Sequence, residues 1–353
     1  MDLFTPSRLG ALTMRNRIVM APMTRSRAGV DGIPTAVMVD YYRQRASAGL
    51  IVSEGIAPSA DGLGYCRTPG IYNEAQTDAW RLVTQGVHEA GGCMIAQLMH
   101  VGRVASALNK PPGSETVAPS AVKAAGRMYT DQSGMQNLEE PRELALGEIA
   151  SVIEQYRSAT ENAYAAGFDG VELHCTSGYL PAQFLAAGSN QRTDRYGGSV
   201  VNRMRFAMEV LEAMSDVRGA DRVGLRICPD NPFNDMHDDD PQETFECLLE
   251  AASAMGLAYL HVIRFAAGRV DNIALGQRFF GDRLIGNESY GFDEAQLAVT
   301  EGELTAVSFG RNFIANPDLV ERWRDGVELA SFDMATLYSP GAEGYCSYPR
   351  ANA

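Results

Sequence analysis

No apolar run in the 353 residues approaches the roughly 18 that a membrane-crossing helix needs. Cysteine is sparse and unpatterned: Cys66, Cys93, Cys175, Cys228, Cys247 and Cys346 form no CxxC or CxxH spacing, which argues against structural zinc and for free thiols in a reducing compartment. Lys and Arg are in deficit, 30 against 44 Asp and Glu, a net charge of −14. That balance disfavours nucleic acid or an anionic membrane as partner, since both are bound by an excess of cations, and any anionic cofactor needs a local basic site. No GxGxxG turn follows a strand, which removes the doubly wound dinucleotide-binding fold. The first residues, MDLFTPSRLGALTMRNR, lack a basic patch followed by an apolar stretch, so no secretory signal is expected and the location expected is cytoplasmic. No charge run or repeat marks a boundary, so one domain over 1–353 is expected.

What is present is alternation. Short Val/Ile/Leu-rich runs read as strands buried on both faces: Ile18–Ala21, Leu50–Glu54, Met94–His100, Gly170–His174, Arg222–Cys228, Tyr259–Ile263, Arg283–Gly286 and Ala306–Gly310. Each is followed by a helical pattern: Ala36–Ser47, Glu74–Glu89, Leu146–Ala166, Val200–Met214, Gln242–Met255, Asn272–Phe280, Asp293–Thr300 and Pro317–Arg324. Eight such units predict an α/β fold, an eight-stranded (β/α)8 TIM barrel. Three stretches fall outside the repeat. Residues 1–16 predict a hairpin closing the barrel floor, Arg103 to Arg142 a lid inserted after the third strand, and Leu337 to Ala353 a Gly/Tyr/Pro-rich tail.

A barrel places its chemistry just after each strand. In VELHCTSGYLPAQF, His174 and Tyr179 put a hydrogen-bond donor and a phenol near the mouth. In SFGRNF, Gly310 and Arg311 stand at the usual phosphate position of this architecture. Thr24, from APMTR, and Gln97, from AQLMH, suit the edge of a planar heterocycle, with the cation of Arg226 beside them. Other conspicuous residues read as structural. The acidic run Asn234–Asp240 is a solvated loop, so no metal site is expected; His88, His100 and His261 read as packing groups; and Cys175 points away from the mouth.

These stretches, from LFTPSRLGALTMRNRIVMAPMTRSRA through QLMHVGR, GFDGVELHCTSGYLPAQFLAAGSNQRTDRYGGS and VGLRICP to SFGRNFIANPDLVERW and GAEGYCSYP, resemble the Old Yellow Enzyme family of FMN-dependent ene-reductases along nearly the whole chain. The likeness is greatest to bacterial members that reduce maleimides, nitrate esters and cyclic enones. The resemblance implies non-covalent FMN at the barrel mouth, NADH or NADPH as reductant in a ping-pong cycle, and an activated alkene (enone, maleimide, nitroalkene) as small-molecule substrate. It places Pro22, Met23, Thr24, Gln97, Arg226, Asn287, Gly310 and Arg311 on the cofactor. It makes His174 the donor to the substrate oxygen and Tyr179 the proton donor, with Ser177, Tyr65, Met99 and Tyr345 lining the substrate side. A monomer or homodimer is expected.

Three positions depart from the family pattern: Ser177 where Asn or His usually completes the clamp on the substrate oxygen, Met99 where close relatives have Trp, and Glu288 in a phosphate loop where Gly is common. A carboxylate there repels phosphate, so its side chain is expected to turn outward. Ser177 and Met99 keep open a dedicated enzyme that oxidises or isomerises one metabolite on the same flavin. A flavin-free barrel, lyase or binder, is the alternative from another class.

Overall fold

The structure, a computed structural model, describes residues 2–29 and 31–351; Met1, Val30, Asn352 and Ala353 of the expected 1–353 domain lie outside the described residues. β1 (Ser7–Leu9) and β2 (Leu12–Met14) form the antiparallel hairpin expected at the floor. Gly10 turns it at φ +56°, where a Cβ would lie 2.2 Å from the Asp221 carbonyl oxygen. β3 (Ile18–Met20), β4 (Leu50–Ile56) and β5 (Met94–Leu98) open the barrel. β6 (Val117–Ala118), β7 (Arg127–Thr130), β8 (Gly134–Asn137) and β9 (Arg142–Glu143) belong to the insertion. β10 (Gly170–His174), β11 (Val223–Ile227), β12 (Tyr259–Ile263), β13 (Leu284–Asn287) and β14 (Ala306–Phe309) complete the circle. The order β10-β11-β12-β13-β14-β3-β4-β5 closes on itself with every pair parallel.

Helices return the chain after each strand: α1 (Ala36–Gln44), α2 (Glu74–Glu89), α3 (Leu146–Ala165), α4 (Leu180–Leu185) with α5 (Val200–Arg218), α6 (Pro241–Ala254), α7 (Asn272–Phe280), α8 (Phe292–Thr300), and α9 (Arg311–Ala315) with α10 (Leu319–Asp325). The eight strand–helix units are those the alternation predicts. α4 is additional; all six of its residues are buried, so it has no polar face from which a helical period could be read. β4 runs two residues past the expected Glu54, with a register shift between Val52 and Gly55. The shift seats Gly55 under Met99, whose sulfur is 2.5 Å from where a Cβ would be.

Strand side chains alternate between two cores. Met94, Ala96 and Leu98, Val171 and Leu173, Val223, Leu225 and Ile227, and Leu260 and Val262 pack outward against the helices. The other set fills the barrel from the floor up: Leu9, Leu12 and Met14 of the hairpin meet Val19, Leu50, Val52, Ile95, Tyr259, Ile285 and Ala306. Burying each such side chain stabilises the fold by about 1.5 to 3 kcal/mol, which makes the hairpin an apolar plug. One step higher, the inward positions change character to Gln97, Glu172, Arg226, His261, Asn287 and Ser308, all buried.

The insertion is ordered. β7 and β8 form a hairpin whose Tyr129, Asp131 and Met135 face the barrel mouth, and Arg67 pairs with Asp131 to tie it to the loop after β4. The segment after α10 supplies the opposite wall, held where Arg25 and Arg27 donate to the carbonyl oxygens of Leu337, Thr336, Glu343 and Gly344.

Candidate active site

A cavity of 1860 Å³ opens at the C-terminal ends of the strands, with a smaller one of 170 Å³ beside it that shares Pro22, Thr24, Tyr179 and Arg226. The larger is also lined by Met23, Tyr65, Asn287, Gly310 and Arg311, and the smaller by Gln97, Met99, His174 and Ser177. The ends of β5, β10, β11 and β13 and the loops after β3, β4, β5, β10 and β14 thus bring together every site residue expected from sequence except Tyr345. Tyr345 is fully buried, stacked on Tyr41 at 3.9 Å between ring centres, with the guanidinium of Arg27 4.8 Å from its own ring. It supports the wall rather than facing the cavity; Leu337, Tyr338 and Pro340 line it instead.

Beneath the mouth lies a polar network on neighbouring strands. Glu172, opposite Gln97 on β5 and Gly224 on β11, accepts hydrogen bonds from Gln97 Nε2 at 2.7 Å, Tyr259 Oη at 2.9 Å and His261 Nδ1 at 2.9 Å. Arg226 Nη1 lies 2.5 Å from His261 Nε2 and 2.9 Å from its Nδ1, Nη2 donates to Asn287 Oδ1 at 2.7 Å, and Ser308 Oγ is 2.7 Å from His261 Nε2. Burial opposes ionisation of Glu172, but His261, Arg226 and Gln97 overcome it and hold the carboxyl down to about 2. Burial and then the charge of Arg226 lower His261 to about 4, so the imidazole is neutral at pH 7. Glu172 was not among the expected site residues, and His261 was read as packing. The signal was a titratable residue at an inward position of an otherwise apolar strand, in VELH and in YLHV.

At the mouth, His174 meets Tyr179 edge-on, ring centres 4.9 Å apart, and its Nδ1 is buried without a partner among the described residues. Burial, with Arg226 adding to it, brings His174 down to about 3, so it too is neutral and carries one ring N–H. Tyr179 donates its O–H to the Tyr65 oxygen at 3.0 Å, and burial raises the phenol well above its ordinary value, keeping it protonated. Ser177 has a left-handed φ of +56°, and its carbonyl oxygen accepts from Asn234 Nδ2 at 2.8 Å.

Glu288 does not turn outward. Its carboxylate pairs with Arg311 at 2.5 Å, and its backbone holds φ +81°. Attraction to the expected phosphate ligand decides its direction. The acidic run after β11 has structural partners: Asp238 pairs with Arg203, and Asp240 caps α6. Among the described residues, no group of three or more His, Cys, Asp or Glu is placed to hold a metal ion.

A planar group bearing an anionic tail fits this cavity: amide, hydroxyl and guanidinium groups at one end, Arg311 at the other, and an unpartnered buried ring nitrogen between walls of Tyr and Met. Comparison with known proteins agrees. A family profile described as the NADH:flavin oxidoreductase / NADH oxidase family matches residues 2–330. The chain is 41% identical over 351 residues to a probable flavin mononucleotide-dependent alkene reductase of Leishmania infantum, covering 98% of this chain and 96% of that protein. It is 39% identical to 12-oxophytodienoate reductase 7 of Oryza sativa subsp. japonica, covering 98% and 94%. Among solved structures, morphinone reductase in complex with tetrahydroNAD superposes with a TM-score of 0.94 at 43% identity, covering 99% of this chain and 98% of that one. The Old Yellow Enzyme homologue of Zymomonas mobilis gives 0.94 at 39%, covering 99% of each. The chain therefore belongs to the NADH:flavin oxidoreductase / NADH oxidase family, that of Old Yellow Enzyme.

Proposed function

We propose that this protein is an FMN-dependent ene-reductase that uses NADH or NADPH to saturate the C=C bond of an activated alkene, with His174 and Tyr179 as its catalytic residues. The observation that carries the reading is the pairing of a neutral imidazole with a protonated phenol in one cavity with Thr24, Gln97 and Arg226. Thr24, Gln97 and Arg226, with Pro22 and Met23, would hold the ring system, and Asn287, Gly310 and Arg311 its phosphate end. The chemistry supplied by bound FMN is hydride transfer from the nicotinamide to the β-carbon of the alkene.

The remaining work falls to the chain. As hydride arrives, negative charge grows on the oxygen of the electron-withdrawing group. A fixed N–H of His174 stabilises it there, with no water to reorient first. Tyr179, kept protonated by burial, turns its O–H from Tyr65 to the substrate and delivers the proton to the α-carbon. Ser177 reaches less far than an amide or imidazole, so His174 carries most of the contact with the oxygen, and Met99 leaves a softer wall beside it.

The test is Tyr179→Phe. Rapid mixing of the reduced variant with cyclohexenone is expected to give product about a hundredfold more slowly, while reoxidation by dioxygen keeps its rate. Unchanged product formation would assign the proton to another donor. The breadth of the larger cavity, walled by Tyr129, Met135, Phe233 and Tyr338, favours a second, narrower reading in which one bulky metabolite is oxidised or isomerised. Weak turnover of cyclohexenone and maleimide beside tight binding of such a compound decides for it. Among the described residues no helix is long and apolar enough to cross a membrane. With a net charge of −14 and six unpaired cysteines, a single FMN-binding domain over 1–353, acting in the cytoplasm as monomer or homodimer without a nucleic-acid partner, completes the proposal.

A further inference from the structure

Glu172 lines neither cavity, yet both groups that would meet the flavin ring edge are tied to it. Gln97 is bound directly, through Nε2 at 2.7 Å, and Arg226 at one remove, through His261. An ionised carboxylate only accepts hydrogen bonds, so it compels the Gln97 amide to spend its NH₂ group downward and leaves Oε1 free to accept. It likewise fixes the proton of His261 on Nδ1, which leaves Nε2 as the acceptor facing Arg226 and Ser308. Arg226 is then held by neutral acceptors, His261 and Asn287, and within the network Glu172 is the negative charge that offsets it.

We propose that Glu172 is a positioning residue that sets the polarity of the flavin site: it fixes which end of the Gln97 amide, and how much of the Arg226 charge, the ring meets. This rests on the reading that Gln97 and Arg226 face the flavin. A flavin gains negative charge on reduction, so the positive field of Arg226 favours the reduced form and the charge of Glu172 moderates it. The two partners of the carboxylate give variants of opposite sign. Glu172→Gln removes the charge and frees the Gln97 amide to reverse. Tyr259→Phe removes one donor and leaves the carboxylate less neutralised.

The experiment is the midpoint potential of the FMN-loaded protein, measured by equilibration with a reference dye. Glu172→Gln is expected to favour reduced flavin about tenfold, roughly 30 mV more positive for a two-electron couple, and Tyr259→Phe to move the potential the other way. Glu172→Asp, which keeps the charge, is expected to stay near the wild-type potential. Flavin held at wild-type potential in both Glu172→Gln and Tyr259→Phe overturns the proposal and leaves the reading of the cavity standing. Should Glu172→Gln fail to fold, Tyr259→Phe decides alone: an unmoved or more positive potential overturns it. Wild-type protein that binds no FMN overturns both the proposal and the reading beneath it.

Discussion

At position 288 two costs coincide in one residue. A left-handed backbone at a non-glycine residue stores about 1 to 3 kcal/mol, and the side chain presents a charge of the same sign as phosphate beside Arg311. Both charges are well exposed, so the pair itself contributes at most about 1 kcal/mol. Its larger effect falls on the ligand, because phosphate must share or displace the carboxylate on the guanidinium. Glu288→Gln is therefore expected to tighten FMN about tenfold, consistent with one or two kcal/mol between partly solvated charges, and to leave riboflavin, which has no phosphate, unchanged. Quenching of flavin fluorescence on binding measures both. An equal gain for riboflavin would trace the effect to the loop backbone instead of the charge.

Among elements, β11 and β12 show how closely the barrel interior is filled. A Cβ on Gly224 would lie 2.2 Å from the Tyr259 ring, the same ring whose hydroxyl reaches Glu172. Gly224→Ala is expected to lower stability to urea by about 1 to 3 kcal/mol, the usual cost of overpacking. A loss well below 1 kcal/mol would mean that the ring moves aside freely. The strands themselves were legible because each is a short, largely apolar run between turns, and the mouth residues because a barrel confines them to strand ends. The middle of each strand was not. Glu172 lies opposite Gln97, and His261 opposite Arg226, but those pairings are set by register between strands distant in sequence. Tyr345 was misplaced for a similar reason: its stack on Tyr41 joins positions about 300 apart, and nothing in GAEGYCSYP announces it. At Glu288 the sequence shows a carboxylate on the phosphate loop, but its attraction to Arg311 depends on a contact between loops 23 residues apart.

For the molecule as a whole, buried histidines govern the acid limit. Burial, with cations adding to it, holds His100 and His174 at about 3 and His261 at about 4, below the ordinary 6.5. The unfolded chain takes up these protons first, so their stabilisation is full above pH 6.5 and is lost as pH falls toward 3 to 4. At pH 5 this amounts to about 2 kcal/mol for each histidine. Glu54, pushed up to about 7 by burial, works in the opposite sense: its contribution is full below 4.5 and is lost as pH rises to 7. It returns about 2 kcal/mol on going from pH 7 to 5, leaving a net loss of about 4 kcal/mol. Thermal melts should therefore show Tm falling between pH 7 and 5, less steeply in His100→Gln. A Tm that rises over that range would mean the carboxyls dominate.

The wall contributed by Met334 to Pro340 also has a bearing on the order of assembly. Chains emerge from the ribosome from the N-terminus onward, and this wall follows β14, so every barrel strand is made before it. Arg25 and Arg27 wait for more than 300 further residues before the carbonyl oxygens they hold arrive. A barrel still in synthesis has its floor and staves but an open rim. Completion of the wall consequently comes after the last barrel strand, β14, has been made.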